Sequence, residues 1–486
     1  MHFWRAPNHR LPKQLKIIPI SGGGNMNSQQ VSIASIIERR PLGAFRLRIF
    51  LVCFLIVLMD GFDTQAIGFA AKAMSASLDI PIAVFGKVFS AGLLGAMLGA
   101  FILGPMADRF GRRWTLFVAI LVFSVFTLLT AHTSNLNELL LCRLLAGLGL
   151  GGAIPNLLAL SSEYTPRRMR GFLTGVLYAA FPVGGMIGAL ISAQLVPLYG
   201  WHILFLGGGL VPLVLAAIVA LFLPESLQFL LRRQDGQLKV QAIVDRIAPG
   251  VVDRHSVFID TDDVIVGIPA RQLFANKRLA TTLLLWGGFF MCFVLLITLV
   301  LWTPALLRGA GIPESRAALI VGLVNFGSII GTAVGGRLVD RFGPLTVLPI
   351  LFICGAISVS PLGYVTDSFV LLGISAALSG CFMGAGSSGL LSLAVLIYPS
   401  AMRATGVGWA MAMGRMGQVT GPLIVGALLA SGISINHIFL YCAIPALFAT
   451  TFIILMRFCH AAARTGSEEN QSAAATLRSP AALNVQ

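Results

Sequence analysis

Residues 104–113 read GPMADRFGRR, and residues 336–344 read GRLVDRFGP. Glycine, aspartate, arginine, phenylalanine and glycine recur in the same order, each copy closing an apolar stretch. A second echo pairs Tyr164…Met169-Arg170 with Tyr398…Met402-Arg403, at nearly the same offset beyond each loop. Two echoes in register predict two halves of like design, parallel repeats about an axis along the membrane normal. Glycine in such a loop permits a sharp turn and close helix approach. Asp108 is placed to cap a helix N-terminus, or to accept from an arginine when the inner face is shut. Breaking a cluster built from Asp108, Arg109, Arg112 and Arg113, and its echo at Asp340 and Arg341, would supply part of a two-state switch. A purely topological anchor is the alternative role for these residues.

Working outward, the chain is 57% hydrophobic and only 11% charged, with a mean hydropathy of +0.88. A soluble surface of this size needs more charge. Twelve stretches approach the ~20 apolar residues that cross a bilayer. They lie at about 48–70, 83–104, 114–131, 138–160, 172–193, 203–223, 280–303, 317–336, 345–363, 369–394, 405–428 and 437–458. An all-α membrane protein of two six-helix bundles is expected, with bundles at 45–223 and 280–460 and a linker at 224–279 that contains surface helices. Residues 1–44 form a leading segment and 461–486 a tail. The breaker-rich residues 1–25 and the tail read as disordered, and translation is expected to begin at Met26.

The net charge of +15 is topological. Arg109, Arg112, Arg113, Arg167, Arg168, Arg170, Arg232, Arg233, Arg337, Arg341 and Arg403 all fall in alternate loops. Positive loops stay cytoplasmic, which puts both termini and the linker inside and removes nucleic acid as a partner. The seven cysteines show no CxxC or Cys/His spacing, so metal and redox roles are not expected. No Ser/His/Asp constellation accompanies His132, His202 or His437. An enzyme is not expected, nor any cofactor beyond protons as the coupling ion.

Residues 51–70, LVCFLIVLMDGFDTQAIGFA, hold Asp60 and Asp63 in the middle of the first span. A carboxylate at the bilayer centre costs ~3 kcal/mol. Three residues apart, the two acids share a helix face. Ionising both is costly, which predicts that one of them carries a proton. Arg415, near the centre of the eleventh span, must face the bundle interior and find a partner. Its fork suits a carboxylate, either a substrate's or that of Asp60 or Asp63 in a fixed pair. Phe289 and Phe290, Tyr178 and Phe181, and Trp409 are candidate walls for an aromatic ring, with ordinary packing as the alternative. Asn156 and Asn325 are candidates for pocket or interhelical hydrogen bonds.

From about residue 45 to 460 the chain resembles the major facilitator superfamily. The two loops carry that likeness, with Arg143-Leu-Leu-Ala-Gly147-Leu-Gly149 similar to its RxxxGxG element and Pro224-Glu225-Ser226-Leu227 to its PESxR loop, Gln228 replacing the basic residue. Asp60-Gly61-Phe62-Asp63 and Gly414-Arg415-Met416-Gly417…Gly421-Pro422 are similar to elements of the aromatic acid:proton symporters. Trp302-Thr303-Pro304 also fits, while His202 stands where members often carry arginine. The resemblance implies inner-membrane import of a benzoate-like carboxylate with a proton, by a monomer. Asp60, Asp63 and Arg415 would be its transport residues, Glu163, Asp108 and Asp340 its inner gates, and Arg143 would lie near the fourth-span pathway. Carriage of another organic anion, antiport of a drug or metabolite, and a sensory role beside transport are the alternatives.

Overall fold

The computed structural model describes residues 30–40, 42–233, 235–249, 257–259, 273–274, 278–398 and 402–459. The expectations for 1–25, Met26 and 461–486 lie outside the described residues. The described chain is almost wholly helical because its apolar runs leave main-chain polar groups no partner except each other. In order, the N-terminal half contains α1 (Ile33–Arg39), α2 (Ala44–Ser77), α3 (Phe85–Phe110), α4 (Arg112–Thr130), α5 (Leu136–Glu163), α6 (Arg167–Tyr199) and α7 (His202–Phe222). Two linker helices follow, α8 (Leu227–Leu231) and α9 (Gly236–Ile247). The C-terminal half contains α10 (Leu279–Gly309), α11 (Glu314–Phe342), α12 (Pro344–Val359), α13 (Phe369–Ile397), α14 (Arg403–Ala430) and α15 (Ile435–Tyr441). Past a turn at Cys442, α15 continues as a 25-residue span to Cys459.

Among the described residues, ten helices are long and apolar enough to cross a membrane. The helices α2 and α14 complete the twelve expected spans, and both carry charge at mid-membrane, at Asp60, Asp63 and Arg415. The linker helix α9 buries Val240 and Val244 and exposes Leu238. A short parallel pairing joins β1 (Gln30–Ser32) to β2 (Val257–Ile259).

The sequence echo is an echo in space. Gly111 (φ 99°) and Gly343 (φ 80°) each end one helix and start the next in a conformation that disfavours other residues. Matching helix pairs then meet backbone to backbone. A Cβ on Gly147 of α5 would lie 2.0 Å from the Gly92 carbonyl of α3, and one on Gly380 of α13 would lie 1.9 Å from the Val324 carbonyl of α11. Without a strong hydrophobic force between helices in lipid, this close approach is how spans associate. Gly61 does the same for α2, where a Cβ would meet the Phe181 carbonyl of α6 at 1.9 Å. The glycine of the DGFD stretch therefore serves packing, and holds the flanking acids at the bundle interior.

Candidate functional site

A cavity of about 590 Å³ lies between the halves, lined by α2, α3, α5 and α6 on one side and α10, α11, α13 and α14 on the other. It runs from the depth of Asp60 and Arg415 to Gly171, Gly336 and Ser392, near the ends of α6, α11 and α13 that adjoin the arginine-rich loops. Toward the opposite face it is closed. Gly86 of α3 packs on the Pro422 carbonyl of α14. The Ser90 hydroxyl donates to the Val419 carbonyl at 2.6 Å, and the Trp302 indole donates to the Pro422 carbonyl at 3.3 Å. Deeper in, Gln65 of α2 and Asn325 of α11 exchange side-chain hydrogen bonds at 3.1 and 2.7 Å across the two halves. Both amides are buried, so each satisfies the other where water cannot.

The two acids occupy different environments. Asp63 is 1% exposed and ion-paired to Arg143 of α5, with guanidinium nitrogens donating at 2.5 and 3.3 Å to its two oxygens. The Thr127 hydroxyl of α4 donates to the same carboxylate at 3.2 Å, and Arg143 lies over the Phe205 ring, 5.6 Å from its centroid. Asp63 is thus saturated by partners from α4 and α5. Asp60 receives one hydrogen bond, from Thr64 at 3.2 Å, and lines the cavity, as do Asp63 and Arg143. Across the cavity, Arg415 donates to Gln418 at 3.2 Å and has no carboxylate within salt-bridge distance among the described residues. Its charge bears on both Asp60 and Tyr178. A cation and a carboxyl therefore face each other without closing into a bond, which leaves room for a third group.

Of the expected wall residues, Phe289, Tyr178 and Phe181 line this cavity, as does Asn325. The structure places three others elsewhere. Trp409 is 42% exposed on the outside of α14, stacked on Trp286 at 5.7 Å. Phe290 presents its main chain to Gly417, fastening α10 to α14. The Asn156 amide donates to the Gly152 carbonyl of its own helix at 2.8 Å and to the Leu103 carbonyl of α3 at 3.4 Å, a structural tie away from the cavity. Residues not anticipated include Thr64, one turn from Asp60, Gln418, one turn from Arg415, and Phe293, one turn from Phe289. Helical spacing from each anchor was the signal that could have found them.

At the arginine-rich face, the expected gating residues divide. Arg112 is ion-paired with Glu163, whose carboxylate also accepts from the Ser226 hydroxyl at 2.9 Å and the Leu227 amide at 2.8 Å. Arg113 donates through its main chain to Glu225 at 3.1 Å and through its side chain to the Ala220 carbonyl. This network ties α4, α5 and α7 of the N-terminal half to the linker helix α8, and the Pro224–Leu227 turn docks on it despite Gln228. Asp108, Arg109, Asp340 and Arg341 are exposed and make no ion pair among the described residues. No cluster of metal-ligating side chains occurs among the described residues.

A family model described as Major Facilitator Superfamily matches residues 53–324 and 284–484. The chain belongs to the Major Facilitator Superfamily. It is 37% identical to a protein named 4-hydroxybenzoate transporter PcaK from Pseudomonas aeruginosa, over 88% of this chain and 96% of that one. It is 36% identical to a gallate transporter from Pseudomonas putida, over 87% of this chain and 94% of the other. These relatives set it among the aromatic acid:proton symporters of the superfamily, multi-pass proteins of the bacterial inner membrane. The fold is that of a bacterial homolog of the human lysosomal transporter Spinster solved in an inward-facing, occupied conformation, with a TM-score of 0.68 at 17% identity, covering 86% of this chain and 98% of that one.

Proposed function

We propose that the protein imports an aromatic carboxylate together with a proton by alternating access. The observation that carries this reading is Arg415, a membrane-depth cation on the cavity with no carboxylate partner among the described residues. An ever-charged guanidinium in such a place binds a substrate carboxylate in its fork. The ring then lies among Phe289, Phe293, Phe181 and Tyr178. Relatives named for 4-hydroxybenzoate and gallate transport support this class of cargo.

In this reading Asp60 carries the coupling proton, and Asp63 does not. Asp63 is committed to Arg143, and removing either would strand a buried charge. Asp60 has one neutral partner and faces both the cavity and Arg415. When substrate occupies Arg415, Asp60 loses that cation's stabilisation and holds its proton, so the loaded carrier crosses with its charges compensated. The arginine-rich face is cytoplasmic, with both termini on that side, and the cavity is therefore in its inward-facing state. Asp108 and Asp340 find arginine partners when that face shuts. The carrier works as a monomer in lipid and needs no cofactor besides the proton.

One proton with one monocarboxylate moves no net charge, so only the pH gradient drives accumulation, at about 1.4 kcal/mol or tenfold per pH unit. A second proton would add about 2.3 kcal/mol per 100 mV. The test is uptake of radiolabelled benzoates into vesicles with an imposed, alkaline-inside pH gradient. Accumulation that follows the gradient supports the reading, and uptake indifferent to it rules out symport. Another organic anion remains the second reading, because Arg415 would accept any carboxylate.

A further inference from the structure

Among the described residues two arginines line the cavity, and they are held differently. Arg143 of α5 is closed by the Asp63 carboxylate, whereas Arg415 of α14 meets the amide of Gln418. Arg415 and Gln418 stand three residues apart and so share a helix face. The glycines beside them fix where that face points. A Cβ on Gly414 would lie 2.7 Å from the Phe293 ring of α10, and one on Gly417 would lie 2.3 Å from the Phe290 carbonyl. With α14 pressed on α10 through these glycines, Met411, Arg415 and Gln418 are left to line the cavity.

We propose that Gln418 is the positioning residue that makes Arg415 a carboxylate receptor, a neutral acceptor that aims the guanidinium without neutralising it. This rests on Arg415 as the substrate site. Chemistry settles which way the amide faces, because a guanidinium can only donate and must meet the amide oxygen. The Arg415 Nη1 donates to the Gln418 Oε1 at 3.2 Å. One of five N–H groups is thereby spent, and a bidentate carboxylate needs only two of the rest. The bond also restrains a long side chain whose ordering the substrate would otherwise have to offset on binding. A carboxylate at position 418 would instead close on Arg415 as Asp63 closes on Arg143. Being part of the chain, it would compete for the fork at an advantage over any external acid.

Gln418→Glu and Gln418→Met are compared with the parent by uptake of labelled 4-hydroxybenzoate at one fixed pH gradient, and by thermal unfolding in detergent. Both replacements keep nearly the length and volume of glutamine, so a space-filling role predicts a parental KM in both. Gln418→Glu should raise KM about 100-fold, the worth of a charged hydrogen bond, while unfolding no earlier than the parent. Gln418→Met leaves only a weak sulfur acceptor. It should raise KM about fivefold to tenfold, the worth of one net hydrogen bond, with the maximal rate kept, because uniform binding is what it removes. A parental KM in either variant overturns the proposal, as does a loss of uptake accounted for by earlier unfolding. Failure of the parent to take up 4-hydroxybenzoate, benzoate or gallate would instead overturn the transport reading beneath it.

Discussion

The N-terminal bundle pairs Asp63 and Glu163 with its own arginines, whereas the C-terminal bundle leaves its cavity cation without a carboxylate among the described residues. On one side Asp63, Arg143 and Thr127 close a network, and Arg112, Glu163 and Ser226 close another. On the other side Arg415 has the neutral Gln418, and the loop that echoes residues 104–113 makes no ion pair among the described residues. Two copies of one helical plan have thus taken different chemical parts. A saturated network holds its half rigid, because breaking it leaves uncompensated charge. An unsaturated cation remains available to cargo.

The strongest way to break this contrast is Arg415→Ala, expected to reduce uptake by at least 100-fold in a transport assay while the purified protein stays folded. Retained uptake would mean that the cation is only structural. Next comes the pair of acids. Asp63→Asn leaves Arg143 buried without a counter-charge and should cost about 3–5 kcal/mol, read by thermal unfolding in detergent. Asp60→Asn should unfold like the parent yet lose accumulation driven by the pH gradient. If the two variants behave alike, the acids do not divide their roles. A smaller effect is expected where the halves meet. Gln65→Ala or Asn325→Ala alone should cost about 1–3 kcal/mol by orphaning the other amide, and the double variant should cost little more than either, since the residues share one interaction. Additive losses would show that the amides act separately. Of like size, Arg112→Ala should destabilise by about 1–3 kcal/mol through loss of a charged hydrogen bond. Arg341→Ala, at the echoed but exposed position, should stay within about 0.5 kcal/mol. Equal effects would erase the asymmetry of the two loops.

Much of the site could be read before any tertiary contact was known. Asp60, Asp63 and Arg415 declare themselves because a charge among apolar residues is too costly to leave facing lipid. The ring walls were legible only in part. Phe289 faces the cavity while Phe290, next in the chain, packs on α14, and Trp409 stacks outside on Trp286. A helix that is apolar all round gives no periodic sign of which face meets lipid and which meets cavity. Asn156 shows the same limit for a polar residue, since a carbonyl one turn back satisfies it as well as a pocket would.

From composition, spacing and repetition alone came the twelve crossings, the doubled architecture and the presence of a cation opposite acids at mid-membrane, each dictated by what a bilayer forbids. Only the packed molecule decided that Arg143 claims Asp63 and leaves Asp60 without an ion pair among the described residues. Both acids lie on one face of α2, so the choice between them depends on where α4 and α5 bring their side chains, and that is a property of helix packing that no local pattern encodes.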